Sequence, residues 1–137
     1  MANNKSIGVA FLDQDIIGAQ YILSDEQIGY TAAAQGTVTQ ATSKSTGVTL
    51  NKPAGVITMN NASLATATNA TFTLTNSFIS ANDVIVLTLA SGQTTPGTYN
   101  VFVNAVAAGT ASITLRNISA GSLSEAIVVN FSIIKCV

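Results

Sequence analysis

Chemically reactive side chains are few in this sequence, and their types limit what it could catalyse. The chain has no histidine, one cysteine and six carboxylates in 137 residues. Without histidine, it cannot form a Ser-His-Asp triad, a Cys-His pair or a histidine-based metal site. A carboxylate pair for glycoside hydrolysis would need two of the six acids to converge. We therefore predict no catalytic residue, no cofactor and no metal, and a protein that is not an enzyme.

The individual acids and the cysteine have simpler expected roles. Asp13 and Asp15 lie two residues apart in an irregular stretch, but the other oxygen ligands of a calcium loop do not follow them. Asp83 and Glu125 fall at the ends of expected strands, where we expect them to end a strand or face solvent. Cys136 stands alone, which excludes an internal disulfide. We expect it to be a small buried apolar side chain at the chain end.

The chain carries very little charge. Charged residues make up 8% of the sequence, with a net charge of −1, whereas about 25% is usual. Its five basic residues are scattered and balanced by acids, which predicts no binding to nucleic acid. A surface of Thr, Ser and Asn has little repulsion to keep copies apart. We infer that much of this surface is hidden in an assembly, the alternative being a neutral extracellular domain that works alone.

The chain shows no pattern of export or membrane insertion. The opening MANNKSIGVAFLDQD has only six mostly apolar residues, Ile7 to Leu12, before Asp13, too few for a signal peptide. No run approaches the roughly 20 apolar residues of a membrane helix. We expect a protein that is made in a cytosol, is not exported by a cleaved signal and does not enter membranes.

The elements that would position these residues are short strands. Apolar and polar residues alternate in three C-terminal runs, at 99–105, 111–115 and 127–133, separated by small turn residues. Such period-two alternation predicts half-buried antiparallel strands. Val84–Ala90 is nearly all apolar, which predicts a strand that is central in its sheet or buried on both faces. About eight strands without a convincing helix indicate an all-β, antiparallel two-sheet β-sandwich of jelly-roll or immunoglobulin-like topology.

Residues 1–36 differ from this pattern, and we interpret them as an extended N-terminal arm before a sandwich domain at 37–137. The arm mixes apolar pairs with acids and glycines and has no clear period, so it cannot bury itself alone. The bland alternative is that it supplies an early strand of the same domain. If it is an arm, its apolar side chains should contact a sister subunit or another protein: Ile7, Val9, Phe11, Ile16, Ile17, Tyr21 and Ile22.

The non-core positions of the C-terminal strands carry a second predicted contact. They are nearly uncharged and include four large apolar side chains, Phe102, Val106, Val128 and Ile134. Four such side chains together in water would be unusual. We predict that they form a trimer face, the alternatives being a second sheet or the N-terminal arm as their cover.

Three stretches resemble a domain that recurs in virion proteins of tailed bacteriophages. They are TVTQATSKSTGVTLNKPAGVITMNNASL (Thr37 to Leu64), FTLTNS (Phe72 to Ser77) and ITLRNISAGSLSEAIVVNFSII (Ile113 to Ile134). The resemblance brings no catalytic motif. It implies a structural protein such as a capsid decoration (cement) protein, head fibre or tail-fibre piece, commonly a homotrimer. The N-terminal arm is not covered by it.

The resemblance and the composition together predict a non-enzymatic decoration protein on the outer capsid surface of a virion. It would be a homotrimer that binds the major capsid protein and stabilises the head. The alternative is a receptor- or glycan-binding module of a tail fibre or adhesin. Its contacts would then lie in the loops SGQTTPG, NNASLATATNA and SAGSLSE.

Overall fold

The computed structural model describes Asp25 and residues 28–136. A single 3₁₀ turn, Ala32–Ala34, precedes the strands, and no α-helix occurs among the described residues. The strands are β1 (Gln35–Thr39), β2 (Val48–Thr49), β3 (Ala54–Thr58), β4 (Asn69–Thr75), β5 (Val84–Ser91), β6 (Tyr99–Ala107), β7 (Thr110–Asn117) and β8 (Val128–Ile134). The first strand thus begins at Gln35, just before the boundary predicted from composition.

The eight strands form two four-stranded sheets, which confirms the predicted all-β sandwich. Sheet A has the order β1-β3-β8-β5, and sheet B has the order β2-β4-β7-β6. Side chains that alternate along the strands fill the space between the sheets. The fully buried ones include Ile57, Leu74, Ile113, Leu115 and Val129.

The sheets are mixed rather than purely antiparallel. The pairs β1–β3 and β2–β4 are parallel, whereas the other neighbours are antiparallel. From β1 to β6 the chain passes to the other sheet at every step. Neighbours within a sheet are therefore mostly not consecutive in sequence, and β6–β7 is the one pairing between consecutive strands in the described chain. Its tight turn uses Gly109 at a positive φ of 78°, which glycine adopts without steric cost.

The three C-terminal strands do not lie side by side as their common pattern suggested. β6 and β7 pair in sheet B, while β8 crosses to sheet A and lies between β3 and β5. The ten residues 118–127 between β7 and β8 make this crossing. A shared alternation therefore predicted strands correctly but not which strands are neighbours.

The prediction that Val84–Ala90 is central in its sheet was wrong. β5 is an edge strand of sheet A, and its outward side chains Val84 and Val86 are exposed. A run that is apolar on both faces normally indicates burial on both faces. Here one face packs into the core through Ile85, Leu87 and Leu89, and the other is left as apolar surface.

The sandwich has two chemically different ends. Loops 40–47, 59–68, 92–98 and 118–127 meet at one end, which we call the loop end, through the bonds Gln40–Thr58, Leu64–Leu123 and Ile118–Thr98. At the other end, Ile28 and Tyr30 line a groove with the last residues of β8. We call this the terminal end, because β1 begins and β8 ends there.

Candidate interaction surface

The exposed apolar side chains of sheet A gather at the terminal end. Val84 and Ile134 are directly opposite each other on β5 and β8, and their exposed fractions are 50% and 53%. Val86 follows on the same face of β5, with 43% exposed. Together with Ile28 and Tyr30 these residues form a surface that we call the apolar strip. Exposed apolar side chains in such a cluster are typical of contact surfaces.

The segment 28–30 lies across β8 and divides the surface there into two depressions. One is an open groove of about 870 Å³ lined by Ile28–Tyr30 and Ser132–Lys135. The other, of about 260 Å³, lies on the β3 side of Tyr30 and is lined by Gln35, Ala54–Val56 and Asn130–Ser132. Ile28, Tyr30 and Ile134 of the strip line the larger groove together with Lys135.

A missing backbone donor explains why Tyr30 sits where it does. Pro53 faces Ile133 one step beyond the paired residues Ala54 and Ser132, and the Ile133 N–H donates to the Pro53 carbonyl at 2.9 Å. An antiparallel pair of this type normally exchanges two hydrogen bonds, but proline has no N–H to return one. The Tyr30 hydroxyl donates to the Ile133 carbonyl instead. Pro53 therefore leaves the Ile133 carbonyl available, and the segment around Tyr30 is attached to the sheet at this atom.

An ion pair fixes the C-terminus beside the strip. The Asp83 carboxylate is fully buried and accepts from Lys135 Nζ at 2.6 Å, from the Ser80 N–H at 2.7 Å and from the Cys136 N–H at 3.1 Å. The hydrogen bond from Lys135, followed by that from Ser80, lowers the pKa of Asp83 against the opposing effect of burial. Asp83 directly precedes β5, as expected of a residue at a strand end, but its side chain is buried rather than facing solvent. The expected burial of Cys136 was wrong, because this residue is exposed.

A second polar cluster lies at the loop end around Lys44 and Glu125. Lys44 is only 3% exposed, and its Nζ donates to the backbone carbonyls of Asn60 and Glu125. Burial lowers the pKa of Lys44. Glu125 accepts from the Thr94 N–H at 2.7 Å, and this interaction lowers its pKa. The cluster links the loops, and the Lys44 amine forms its hydrogen bonds with backbone carbonyl oxygens.

Tyr99 completes this cluster from β6. Its hydroxyl is buried, and burial followed by the neighbouring Glu125 raises its pKa to about 12. Neither the hydroxyl nor Glu125 Oε2 forms a hydrogen bond with a described residue, although each of the two groups shifts the pKa of the other. These enclosed groups are not placed to meet a substrate in solution.

The four residues predicted to form a trimer face do not lie on one surface. Phe102 and Val106 are on β6 in sheet B, whereas Val128 and Ile134 are on β8 in sheet A. A bulge between Val103 and Ala105 shifts the alternation of β6, so that Val106 packs against the core and Ala105 is exposed. Of the four, Ile134 belongs to the apolar strip. The predicted arm contacts (Ile7, Val9, Phe11, Ile16, Ile17, Tyr21 and Ile22) lie outside the described residues.

The outer face of sheet B is polar but uncharged over most of its area. Thr71, Thr73 and Thr75 of β4 face Thr114, Ser112 and Thr110 of β7 across the ladder. The Thr71 and Thr114 hydroxyls are 2.8 Å apart. β-Branched threonines suit strands, so this array needs no functional reason. The scarcity of charged residues in the sequence is evident on this face, where uncharged hydroxyl side chains take their place.

No three His, Cys, Asp or Glu side chains in the described part of the chain come together as metal ligands would. No helix among those residues is long and apolar enough to cross a membrane. Comparison with protein-family models, curated proteins and solved structures finds no match for this chain.

Proposed function

We propose that this chain is a non-enzymatic structural protein of a tailed-bacteriophage head, a trimeric decoration protein that binds the major capsid protein. The observation that carries the proposal is the apolar strip at the terminal end of the sandwich. Val84, Val86 and Ile134 are exposed there, and the N-terminal segment starts beside them. The resemblance of three stretches to phage virion proteins supports the same function.

The physical mechanism would be burial of apolar surface at the terminal end. Each large aliphatic or aromatic side chain that becomes fully buried contributes about 1.5–3 kcal/mol before entropic costs. Three subunits attached through the same end would add the gain from multivalency. The loop end would then point away from the capsid. Such a protein would strengthen the shell by bridging neighbouring capsomers.

The experiment is a binding assay with empty heads of the phage that encodes the chain. The full-length protein should cosediment with the heads at saturating occupancy. Ile7→Asp combined with Phe11→Asp should weaken binding at least tenfold, because two apolar contacts are lost and about 1.4 kcal/mol is already a factor of ten. Asn3→Asp combined with Asn4→Asp adds the same charge without removing apolar contacts and should bind normally. Equal binding by both variants would overturn the docking role of the arm.

A second candidate, a glycan- or receptor-binding module, is favoured by one specific observation. The three loops predicted for that role meet at the loop end, where Leu64 bridges to Leu123 and the Thr94 N–H donates to Glu125. Thr66 Oγ1 also donates to the Ser119 carbonyl at 2.6 Å. A glycan array probed with the full-length protein separates the two functions. Saccharide hits that disappear on substitution in these loops would favour the second.

A further inference from the structure

The edge strand β5 has a row of free backbone groups. It pairs with β8 on one side only. The Ile133 N–H donates to Pro53, and backbone groups alternate in direction along a strand, so the even-numbered positions of β8 face β5. These pair with the even-numbered positions of β5, which leaves the N–H and C=O groups of Ile85, Leu87 and Leu89 pointing away from the sheet. No described residue hydrogen-bonds to these groups.

The other three edge strands of the described sheets have features that normally prevent strand addition. β1 has five residues and β2 has two, and short edges offer few groups to a partner. β6 has nine residues, but a bulge between Val103 and Ala105 interrupts it, and bulges hinder pairing at an edge. β5 has eight residues without a charge or a proline, and its bulge falls at its end, between Leu89 and Ser91. Among the described edges, β5 is therefore the best template for another strand.

The side chains of β5 define what kind of strand fits beside it. Leu87 and Leu89 face inward and pack against the core, but they remain only partly buried at this edge. On the outer face, Val86 and Thr88 are exposed. A neighbouring strand would cover both sets if it had aliphatic residues at alternate positions and carried no charge. β5 itself has this composition.

A second copy of the same edge meets these requirements. Two β5 strands related by a twofold axis run antiparallel, and such a contact is self-complementary. With the axis at Leu87, the two Leu87 residues face each other, and Ile85 of each copy lies opposite Leu89 of the other. All three outward-pointing residues of each strand then have a partner, and each such pair exchanges two hydrogen bonds. On the outer face, Val86 lies opposite Thr88 of the second copy, and both are β-branched residues that suit strands.

We propose that two copies of this chain associate by pairing their β5 edges antiparallel about a twofold axis at Leu87. The two A sheets then form one continuous eight-stranded sheet. The occupant of the free edge is a second copy because its own edge presents the same free groups at the same spacing. Residues 84–91 carry no charge, so the two strands meet without like-charge repulsion. One strand pair buries less than the roughly 1,600 Å² of a standard interface, and we expect a reversible contact with a Kd of roughly 1–10 µM.

This inference goes beyond the proposed function and does not depend on it. The trimer proposed above is attributed to the outward side chains of the apolar strip, whereas edge pairing uses backbone groups and the inward side of β5. Either contact can fail without the other. Where both form, edge pairing links one trimer to the next.

Hydrogen exchange on the unmodified full-length protein tests the pairing. The Leu87 N–H should exchange at least about tenfold more slowly at roughly 1 mM protein than at roughly 1 µM, because the expected Kd leaves few chains unpaired at the higher concentration. The Val101 N–H is the control. The Ile118 N–H donates to Thr98, so the even-numbered positions of β6 before its bulge face β7 and Val101 points outward. Its exchange rate should not depend on concentration.

Three results of this measurement would overturn the proposal. Fast exchange of the Leu87 N–H at every concentration would show that the edge stays open. Slow exchange at every concentration would show that a segment of the same chain covers it. Equal slowing of the Leu87 and Val101 amides at high concentration would show an association that does not select β5.

Disulfide trapping tests the register. In a Cys136→Ser background, Leu87→Cys should oxidise to a disulfide-linked dimer, because the Cα atoms of such a facing pair lie about 5.5 Å apart. Leu89→Cys is the matched control, since it changes the same residue type on the same face but lies opposite Ile85 of the second copy, and it should stay reduced. Contact through the apolar strip would not join the Leu87→Cys thiols, because this side chain faces inward. Dimers from both variants, or from neither, would overturn the proposed pairing.

Discussion

At the residue scale, the decisive polar groups are those that donate to backbone carbonyls which the strand ladders leave short of donors. Tyr30 replaces the N–H that Pro53 lacks, and Lys44 supplies two loop carbonyls with donors. A buried carbonyl left without a donor costs about 1–3 kcal/mol. These residues therefore stabilise the fold mainly because they give buried carbonyls a donor and so avoid that free-energy cost. Charge interactions contribute less.

Replacing Lys44 tests this view. Lys44→Met keeps much of the side-chain volume and removes the cost of burying the amine. It also removes the donor to the Asn60 carbonyl and leaves the Glu125 carbonyl with only the Ile127 N–H. We expect the free energy of unfolding, measured by urea denaturation, to fall by about 1–3 kcal/mol. Lys52→Met is the control, because Lys52 Nζ donates to Ala33 in an exposed position, and should change it by less than about 0.5 kcal/mol. Equal losses would contradict the explanation.

Asp83 predicts a pH dependence of stability. Its hydrogen bonds from Lys135 and Ser80 lower its pKa in the folded protein below the ordinary value of 3.8. A carboxyl with a lowered folded-state pKa binds fewer protons folded than unfolded, so its contribution is complete above pH 3.8 and disappears as the pH falls through the folded-state pKa. The wild-type protein should therefore lose more unfolding free energy than Asp83→Asn between pH 5 and pH 2. Thermal denaturation at a series of pH values measures this, and parallel curves would rule the effect out.

At the element scale, the sequence predicted the strands but not their neighbours. The alternation of Ile113 and Leu115 or of Val129 and Phe131 reports which side chains face inward, and the structure confirms those four as core. It does not report the sheet to which a strand belongs, and β8 joins sheet A although its pattern matches β6 and β7. The shift at Val106 depends on a bulge, which leaves no mark in composition.

The interaction surface was predicted only in part, for a related reason. Ile134 was predicted to lie on a contact face and is exposed, whereas Val84 and Val86 were predicted to lie in a strand that is central in its sheet or buried on both faces. Whether an apolar run is central or at an edge depends on long-range pairing that the local pattern does not contain. The anchor between Tyr30 and Ile133 joins residues 103 positions apart. It became recognisable only once Pro53 was known to face Ile133.

The contact between the end of β5 and the approach to β8 gives an element-scale prediction. Gly92 has a φ of 91°, and a Cβ added there would lie 2.2 Å from the Ala126 carbonyl oxygen. Gly97 has a similar φ of 79° but open space around it. Gly97→Ala should cost only the backbone strain, about 1–2 kcal/mol, and Gly92→Ala roughly 1–3 kcal/mol more for the overlap. Chemical denaturation of both variants measures the difference, and equal costs would mean that the two segments separate easily.

At the scale of the whole molecule, the two ends of the sandwich differ: one end stabilises the fold through polar contacts, and the other exposes apolar surface. Polar groups tie the loops together at one end, through Lys44 and Glu125, whereas the other end exposes aliphatic side chains next to the chain termini. With only 8% charged residues, the sheet faces offer little electrostatic repulsion against association. The apolar strip thus brings several exposed apolar side chains together at one end of the described surface.

The oligomeric state in solution tests whether the strip joins sister subunits. If it does, light scattering should give a mass three times that of the 14.0 kDa chain. Val86→Lys should then lower the mass towards that of one chain, because a lysine at the centre of an apolar contact must be desolvated without a partner. Thr88→Lys, two residues along the same exposed face of β5, adds the same charge further from Ile134 and should leave the trimer intact. A wild-type protein that is monomeric at every concentration would overturn the trimer.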